Sequence, residues 1–399
     1  MNTFSVRTAT RLGVAVVAVG LLGTSGCSGS SSSSSSTSSS SPSSASASAT
    51  SSATGSSSAL SVKQIDFGTT LKHSFQPNGT GATKSGALSQ PDDIVPLGGN
   101  IYVGFQNGVG SQGEAATSGN LDSTLVEFTP SGSVVNQWDV TGKIDGMGAD
   151  AAAGQVIVTV NEDSKSSLYT VSGGTVTHYA YTPSLPHLGG TDAISVLDGK
   201  ILISASAPGT SGKAPASAPA VFAVTLNAGA KTAAVAPFFA DNATATGVNG
   251  SNSGKKVALA LTDPDSNTVV PPTSPKFGGD FMLNSQGDEE LIFSPASDTS
   301  LQVLKLSQSV DDVAWATSAT GTLYTTDSSS NTVDAITGTF TPGTVFTAVT
   351  PCNANSAPST CPAPGFAANS LGTIDLATGK VGSVTTTGIV MAKGLIFVP

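Results

Sequence analysis

The 399-residue chain is predicted to be an all-β protein, a six-bladed β-propeller closed by strands from both termini. Three observations predict it. The composition is rich in Gly, Thr, Val, Ala and Ser, with only 11% charged residues, which suits strands and turns rather than helices. Two kinds of β-hairpin alternate along the chain, six copies of each. The series starts with a lone copy of one kind and stops with a lone copy of the other.

The elements follow in order. Residues 1–26 carry Arg7 and Arg11, then "LGVAVVAVGLLG" from Leu12, then "GTSGCSG" from Gly23. Positive charge, a short apolar core and small residues form an export signal. The apolar core is about a dozen residues, short of the roughly 20 that span a bilayer. Ser25, Gly26 and Cys27 resemble the end of a bacterial lipoprotein signal. That resemblance implies a diacylated Cys27 as the mature N-terminus and a palmitate-type anchor on the extracytoplasmic face of the cell membrane. Thr24 stands where that family has an aliphatic residue, which leaves open ordinary cleavage and an unlipidated, secreted product. Residues 27–60 are Ser with some Ala, Thr and Gly and one proline, Pro42, too poor in apolar side chains to offset chain entropy. A coil of this kind spans roughly 30 Å and serves as a tether.

The propeller is assigned to residues 61–399. Its first hairpin type has alternating strands around a Gly/Asp/Ser turn. The copies begin at Ser61, Thr124 ("TLVEFTPSGSVVNQW"), Leu168, Val221, Phe281 and Gly372. The second type has a small-residue strand, often opened by Asp, then a Gly turn and a near-continuous apolar strand. Its copies begin at Pro91 ("PDDIVPLGGNIYVGF"), Gly148, Thr191, Ala245, Val310 and Gly388. Continuous Val/Ile/Leu/Ala runs suit strands covered on both faces. Six pairs of hairpins make six four-stranded blades, and the lone hairpins at 61–75 and 388–399 complete the closing blade, which removes free edges. Insertions are expected around 263–279 and 338–370. A seven-bladed ring, with another blade starting at 296–307, is the alternative.

Charge excludes some partners. The chain has 26 acidic against 16 basic residues, and both arginines lie in the leader. What remains lacks the basic footprint of a nucleic-acid binder and any guanidinium clamp for phosphate. Cys352 and Cys361 are expected to form a local disulfide in an exported loop. A monomer is expected.

"LYTTDSSSNTVDAITG" from Leu323 and "LALTDPDSNTVV" from Leu259 resemble the repeats of NHL-type and gluconolactonase-like propellers. The second family implies a divalent cation held in the central channel by Glu, Asn and Asp of the inner strands. The acids that open the inner hairpins here are Asp92, Asp93, Asp150, Asp192, Asp311 and Asp312. As a cluster they would suit a hard cation such as Ca²⁺. As turn residues they would instead accept backbone N–H groups. No Glu stands at the first opening, and the chain shows no nucleophile elbow. The expected function is a membrane-tethered binding or scaffold module for a protein, glycan or small molecule. The alternative is a metal-dependent, lactonase-like hydrolase.

Overall fold

The computed structural model describes residues 60–186, 189–206, 217–295, 300–350 and 370–399. All belong to one compact unit, Ser56–Pro399. Among them no helix is long and apolar enough to cross a membrane.

After β1 (Ser61–Phe67) and a small hairpin of β2 (Lys72–Phe75) and β3 (Lys84–Ala87), the chain lays down three blades in succession. The first blade is β4 (Pro91–Leu97), β5 (Asn100–Phe105), β6 (Asp122–Phe128) and β7 (Val134–Thr141). The second is β8 (Ile144–Asp150), β9 (Gln155–Val160), β10 (Ser167–Ser172) and β11 (Thr175–Thr182). The third is β12 (Ile194–Leu197), β13 (Lys200–Ser204), β14 (Pro219–Asn227) and β15 (Thr232–Ala240). The outer strands β11 and β15 pair in parallel, Ala180–Thr182 against Thr232–Ala234 in register, and fuse these two blades into one eight-stranded sheet.

The second half departs from simple succession. A hairpin of β16 (Thr244–Gly247) and β17 (Lys256–Ala258) is added to the outside of the fourth blade. That blade runs β18 (Pro264–Val269), β19 (Phe281–Ser285), β20 (Glu290–Ser294), β21 (Leu301–Lys305), and β16 lies parallel to β21. The fifth blade opens with β22 (Val310–Trp315). The chain then leaves it to form β23 (Thr322–Asp327) and β24 (Thr332–Thr337). It returns for β25 (Val345–Val349), β26 (Leu371–Ile374) and β27 (Val381–Ser383). The sixth blade is assembled from three pieces: β28 (Ala392–Val398) innermost, β23 and β24 in the middle, and the N-terminal β1 outermost.

The inner strands β4, β8, β12, β18, β22 and β28 pack in that order, and β28 packs back on β4. Among the described residues the ring therefore has six blades, closed by strands from both termini. Residues 300–307 belong to the outer side of the fourth blade rather than to a seventh. Four other expectations are corrected. Residues 61–75 are not a hairpin, because β1 pairs with β24 and β2 with β3. Residues 310–326 are not a hairpin either, because β22 and β23 lie in different blades. The hairpin from Ala245 is an outer addition, and the inner strand of its blade is β18, inside the segment read as an insertion. The C-terminal copy is one strand, not two. The common reason is that alternation reveals strands, whereas the choice of partner is made by packing far away in sequence.

Six hydrophobic clusters fill the structure, each between two neighbouring blades. Thus Val156, Val158 and Val160 of β9 face the first blade, while Ile157 between them faces the third. Strands sandwiched in this way need apolar residues at successive positions, which is why the runs are continuous. Phe105 and Phe128, both wholly buried between the sixth and first blades, are each worth about 1.5–3 kcal/mol by burial.

Candidate binding site in the central channel

Each inner strand begins at the same end of the channel, and each delivers one charged side chain there. Asp92 comes from β4, Asp145 from β8, Asp192 from just before β12, Asp265 from β18, Asp311 from β22 and Lys393 from β28. All six line one cavity of about 250 Å³, together with Asp93, Asp312 and Glu162. The result is a ring of five aspartates and one lysine. Further in, the wall turns apolar, with Val95, Pro96, Ile194, Val196, Val269 and Ile396.

Close approach of the backbones makes the ring. A Cβ on Gly146 would lie 2.0 Å from the Asp192 carbonyl oxygen, and one on Gly394 would lie 2.5 Å from that of Asp92. Neither position tolerates a side chain, so both follow their ring residue as glycine. Hydroxyl and amide groups from second strands then fasten each blade to the next. Thr159 donates to the Asp192 carbonyl (2.7 Å), Ser204 to that of Asp265 (2.6 Å) and Asn284 to that of Asp311 (2.7 Å). Thr326 donates to the Asp92 carbonyl and accepts from the Gly394 N–H. The carbonyls of Asp92, Asp192, Asp265 and Asp311 are thus satisfied, and the ring aspartates line the channel.

The carboxyls are treated unequally. Lys393 Nζ bridges Asp311 Oδ2 at 2.9 Å and Asp92 Oδ1 at 3.3 Å. Gln106 Nε2 donates to Asp92 Oδ2 (2.8 Å) and Asp145 Oδ1 (3.0 Å). Lys143 Nζ, just before β8, contacts Asp145 Oδ1 at 2.7 Å and Glu162 Oε1 at 2.5 Å. Asp93 and Asp312 are spent on structure. Asp93 accepts the N–H of its neighbour Ile94 (2.7 Å) and of Met147 on the next inner strand (2.5 Å). Asp312 repeats this with Val313 (2.7 Å) and Leu395 (2.6 Å). Asp192 and Asp265 share a hydrogen bond, which requires a proton on one of them.

Burial sets the protonation states. It raises Asp145 and Asp265 well above the usual carboxyl range, and the charge of Asp192 pushes Asp265 further. Asp192 is pushed up to about 8 by burial and then by the charge of Glu162. Asp93 rises well above its ordinary value through burial and the charge of Asp312, and Asp312 rises to about 7 mainly through burial. For Lys393, burial acts to lower the ammonium, but Asp311, Asp92 and Asp265 outweigh it and hold it well above its ordinary value. Repulsion in the ring is therefore relieved by an internal cation, by protonation and by backbone donors, in different places.

Of the acids singled out in the sequence, Asp92, Asp93, Asp192, Asp311 and Asp312 meet at this cavity. Asp150 does not. It sits at the far end of β8, where it accepts from Ala153 N and Gln155 Nε2, both at 3.1 Å. Asp145, Asp265, Glu162 and Lys393 were not anticipated. For Asp145 and Lys393 the signal is a three-residue pattern of charge, then a small or acidic residue, then an apolar one; Asp265-Ser266-Asn267 and Glu162-Asp163-Ser164 lack it. Asp145-Gly146-Met147, Asp192-Ala193-Ile194, Asp311-Asp312-Val313 and Lys393-Gly394-Leu395 all follow it. Cys27, Cys352 and Cys361 lie outside the described residues.

The arrangement does not fit the divalent cation implied by the gluconolactonase-like resemblance. Lys393 already supplies positive charge inside the ring. Among the described residues, no three His, Cys, Asp or Glu side chains are grouped to hold a metal ion.

No protein-family model matches the chain, and no curated protein matches it in sequence. Solved structures are similar at low identity. A protein of unknown function from Bacteroides caccae is 10% identical, covering 79% of this chain and 90% of that one, at a TM-score of 0.42. A streptogramin B lyase is 10% identical over 81% of this chain and 72% of its own, at 0.36. A virginiamycin B lyase from Staphylococcus aureus is 10% identical over 68% and 78%, at 0.34.

Proposed function

We propose that the protein is a non-catalytic binding module, held at the extracytoplasmic face of the cell membrane by a lipid on Cys27 and a serine-rich tether, whose propeller channel takes a small ligand. The observation that supports this reading is the engagement of the channel acids. Asp93 and Asp312 are tied to backbone N–H groups of adjacent blades, and Asp92 and Asp311 share the ammonium of Lys393. Residues held this way shape and charge a cavity, and moving their protons would loosen the ring. The cavity, at about 250 Å³, lies just below the range usual for small-molecule sites, so the group it takes is small. Purified protein should turn over no member of a lactone panel, with or without added Ca²⁺, Mg²⁺ or Zn²⁺. Turnover that Asp265→Asn abolishes would establish a hydrolase instead.

A further inference from the structure

Resting on the reading of the channel as a binding site, we propose that the side of the ring formed by Asp145, Asp192 and Asp265 receives the protonated primary amine of a small molecule with a short apolar tail. Three features carry this.

The ring is charged asymmetrically. Lys393 serves Asp92 and Asp311, two of its five carboxyls. No lysine contacts Asp192 or Asp265 within ion-pair distance among the described residues, and Lys143 divides its charge between Asp145 and Glu162.

One acceptor is left open. Asp145 is only 7% exposed, yet its Oδ2 has no hydrogen-bond partner while it lines the cavity. A buried carboxyl oxygen left unpaired is costly, and a ligand N–H donor supplies the partner as Asp145 gives up its proton.

The ring itself shows which cation it suits. An ammonium, that of Lys393, sits between two ring carboxyls at 2.9 and 3.3 Å. The structure repeats the same inner-strand backbone at the other positions, so a second ammonium meets the same type of acceptor. No residue lining the cavity is aromatic, so the site lacks the cage that recognises quaternary ammonium. The apolar wall of Val95, Pro96, Ile194, Val196, Val269 and Ile396 beyond the ring accommodates a tail of a few carbons.

The amine enters already protonated and keeps its N–H bonds. The proton shared by Asp192 and Asp265 leaves to the buffer as the ammonium takes its place. The groups facing this site are Asp92 from β4, Lys143 and Asp145 at β8, and Glu162 after β9. Asp263 and Asp265 face it at β18, as do Asp311 from β22 and Lys393 from β28. Because at least one proton must be displaced, affinity should rise with pH, about tenfold per unit for each proton released.

Calorimetric titration of the full protein with n-butylamine tests this, beside tetramethylammonium and calcium chloride, in buffers of different ionisation enthalpy. Butylamine should bind with release of at least one proton and tighten from pH 5.5 to 7.5. Asp265→Asn, which relieves repulsion and so should fold, should weaken it at least tenfold, as should Asp145→Asn, in which buried Lys143 keeps Glu162 as its partner. The absence of butylamine binding up to about 10 mM, unchanged affinity in both variants, or equal binding of tetramethylammonium or calcium would each overturn the assignment. Wild-type proton release checks it without any variant. Butylamine recovered unchanged keeps the binding-module reading, whereas chemically altered butylamine ends that reading and leaves the ammonium site standing.

Discussion

Lys393 balances the ring from its sixth position, buried between Asp92 and Asp311. Removing one partner of a buried ion pair leaves its counterpart uncompensated and costs about 3–5 kcal/mol. Lys393→Met should therefore lower the melting temperature sharply at pH 8. The loss should be smaller at pH 5, where protonation of the carboxyls does part of the work of Lys393. Adding Asp92→Asn should recover part of the loss, which thermal melts of the single and double variants will measure. At the other end of the chain, mass spectrometry of membrane-extracted protein should find a diacylated Cys27. A wholly soluble product starting elsewhere would contradict the anchor. Half of the ring was legible residue by residue, because Asp92, Asp192 and Asp311 each stand at the start of an apolar inner strand. Asp145 was passed over for Asp150, five residues on in the same strand. Only the approach of Gly146 to the Asp192 carbonyl distinguishes the residue at the channel from the one at the far end.

At the scale of elements, strands were easier to read than their partners. The hairpins β4–β5, β6–β7, β8–β9, β10–β11, β12–β13, β14–β15, β19–β20 and β26–β27 pair as the turn signals indicate. The closing blade does not, because β23 and β24 are lent to it by a detour from the fifth blade and local sequence carries no trace of that. β18 was hidden because "PDSNTV" is polar: its Ser266 and Asn267 donate to the carbonyls of Asp311 and Ala193 in the two neighbouring blades. The detour makes β28 doubly important, since it is the inner strand of the sixth blade and carries Lys393. Deleting residues 392–399 should abolish the cooperative melt. Deleting residues 61–67, the outermost strand of the same blade, should lower the melting temperature without abolishing it. Equal effects in circular-dichroism melts would argue against the observed strand order.

Across the whole molecule, buried acids with raised pKa values set the pH dependence of stability. Asp192 at about 8, Asp312 at about 7, and Asp263 and Asp334 at about 6 all lie above the ordinary 3.8. For each, the native state holds a proton that the unfolded chain releases. Its contribution is complete below pH 3.8 and is lost as pH rises through the folded value. The protein should therefore melt at a higher temperature at pH 5 than at pH 8.5, with the decline steepest from about pH 4 to 6, where all four acids hold a native proton that the unfolded chain has lost, and ending near pH 8. A profile flat across that window would mean that these acids are solvated.

The most direct measurement is a carbon-13 NMR titration of the aspartate side-chain carboxyls. A closed six-bladed ring with its acids inside the channel predicts at least one carboxyl titrating near pH 8, assigned to Asp192 by its loss in Asp192→Asn. If every aspartate in the folded protein titrates below about pH 5, near the unperturbed value, the carboxyls are in water and the ring is not as described.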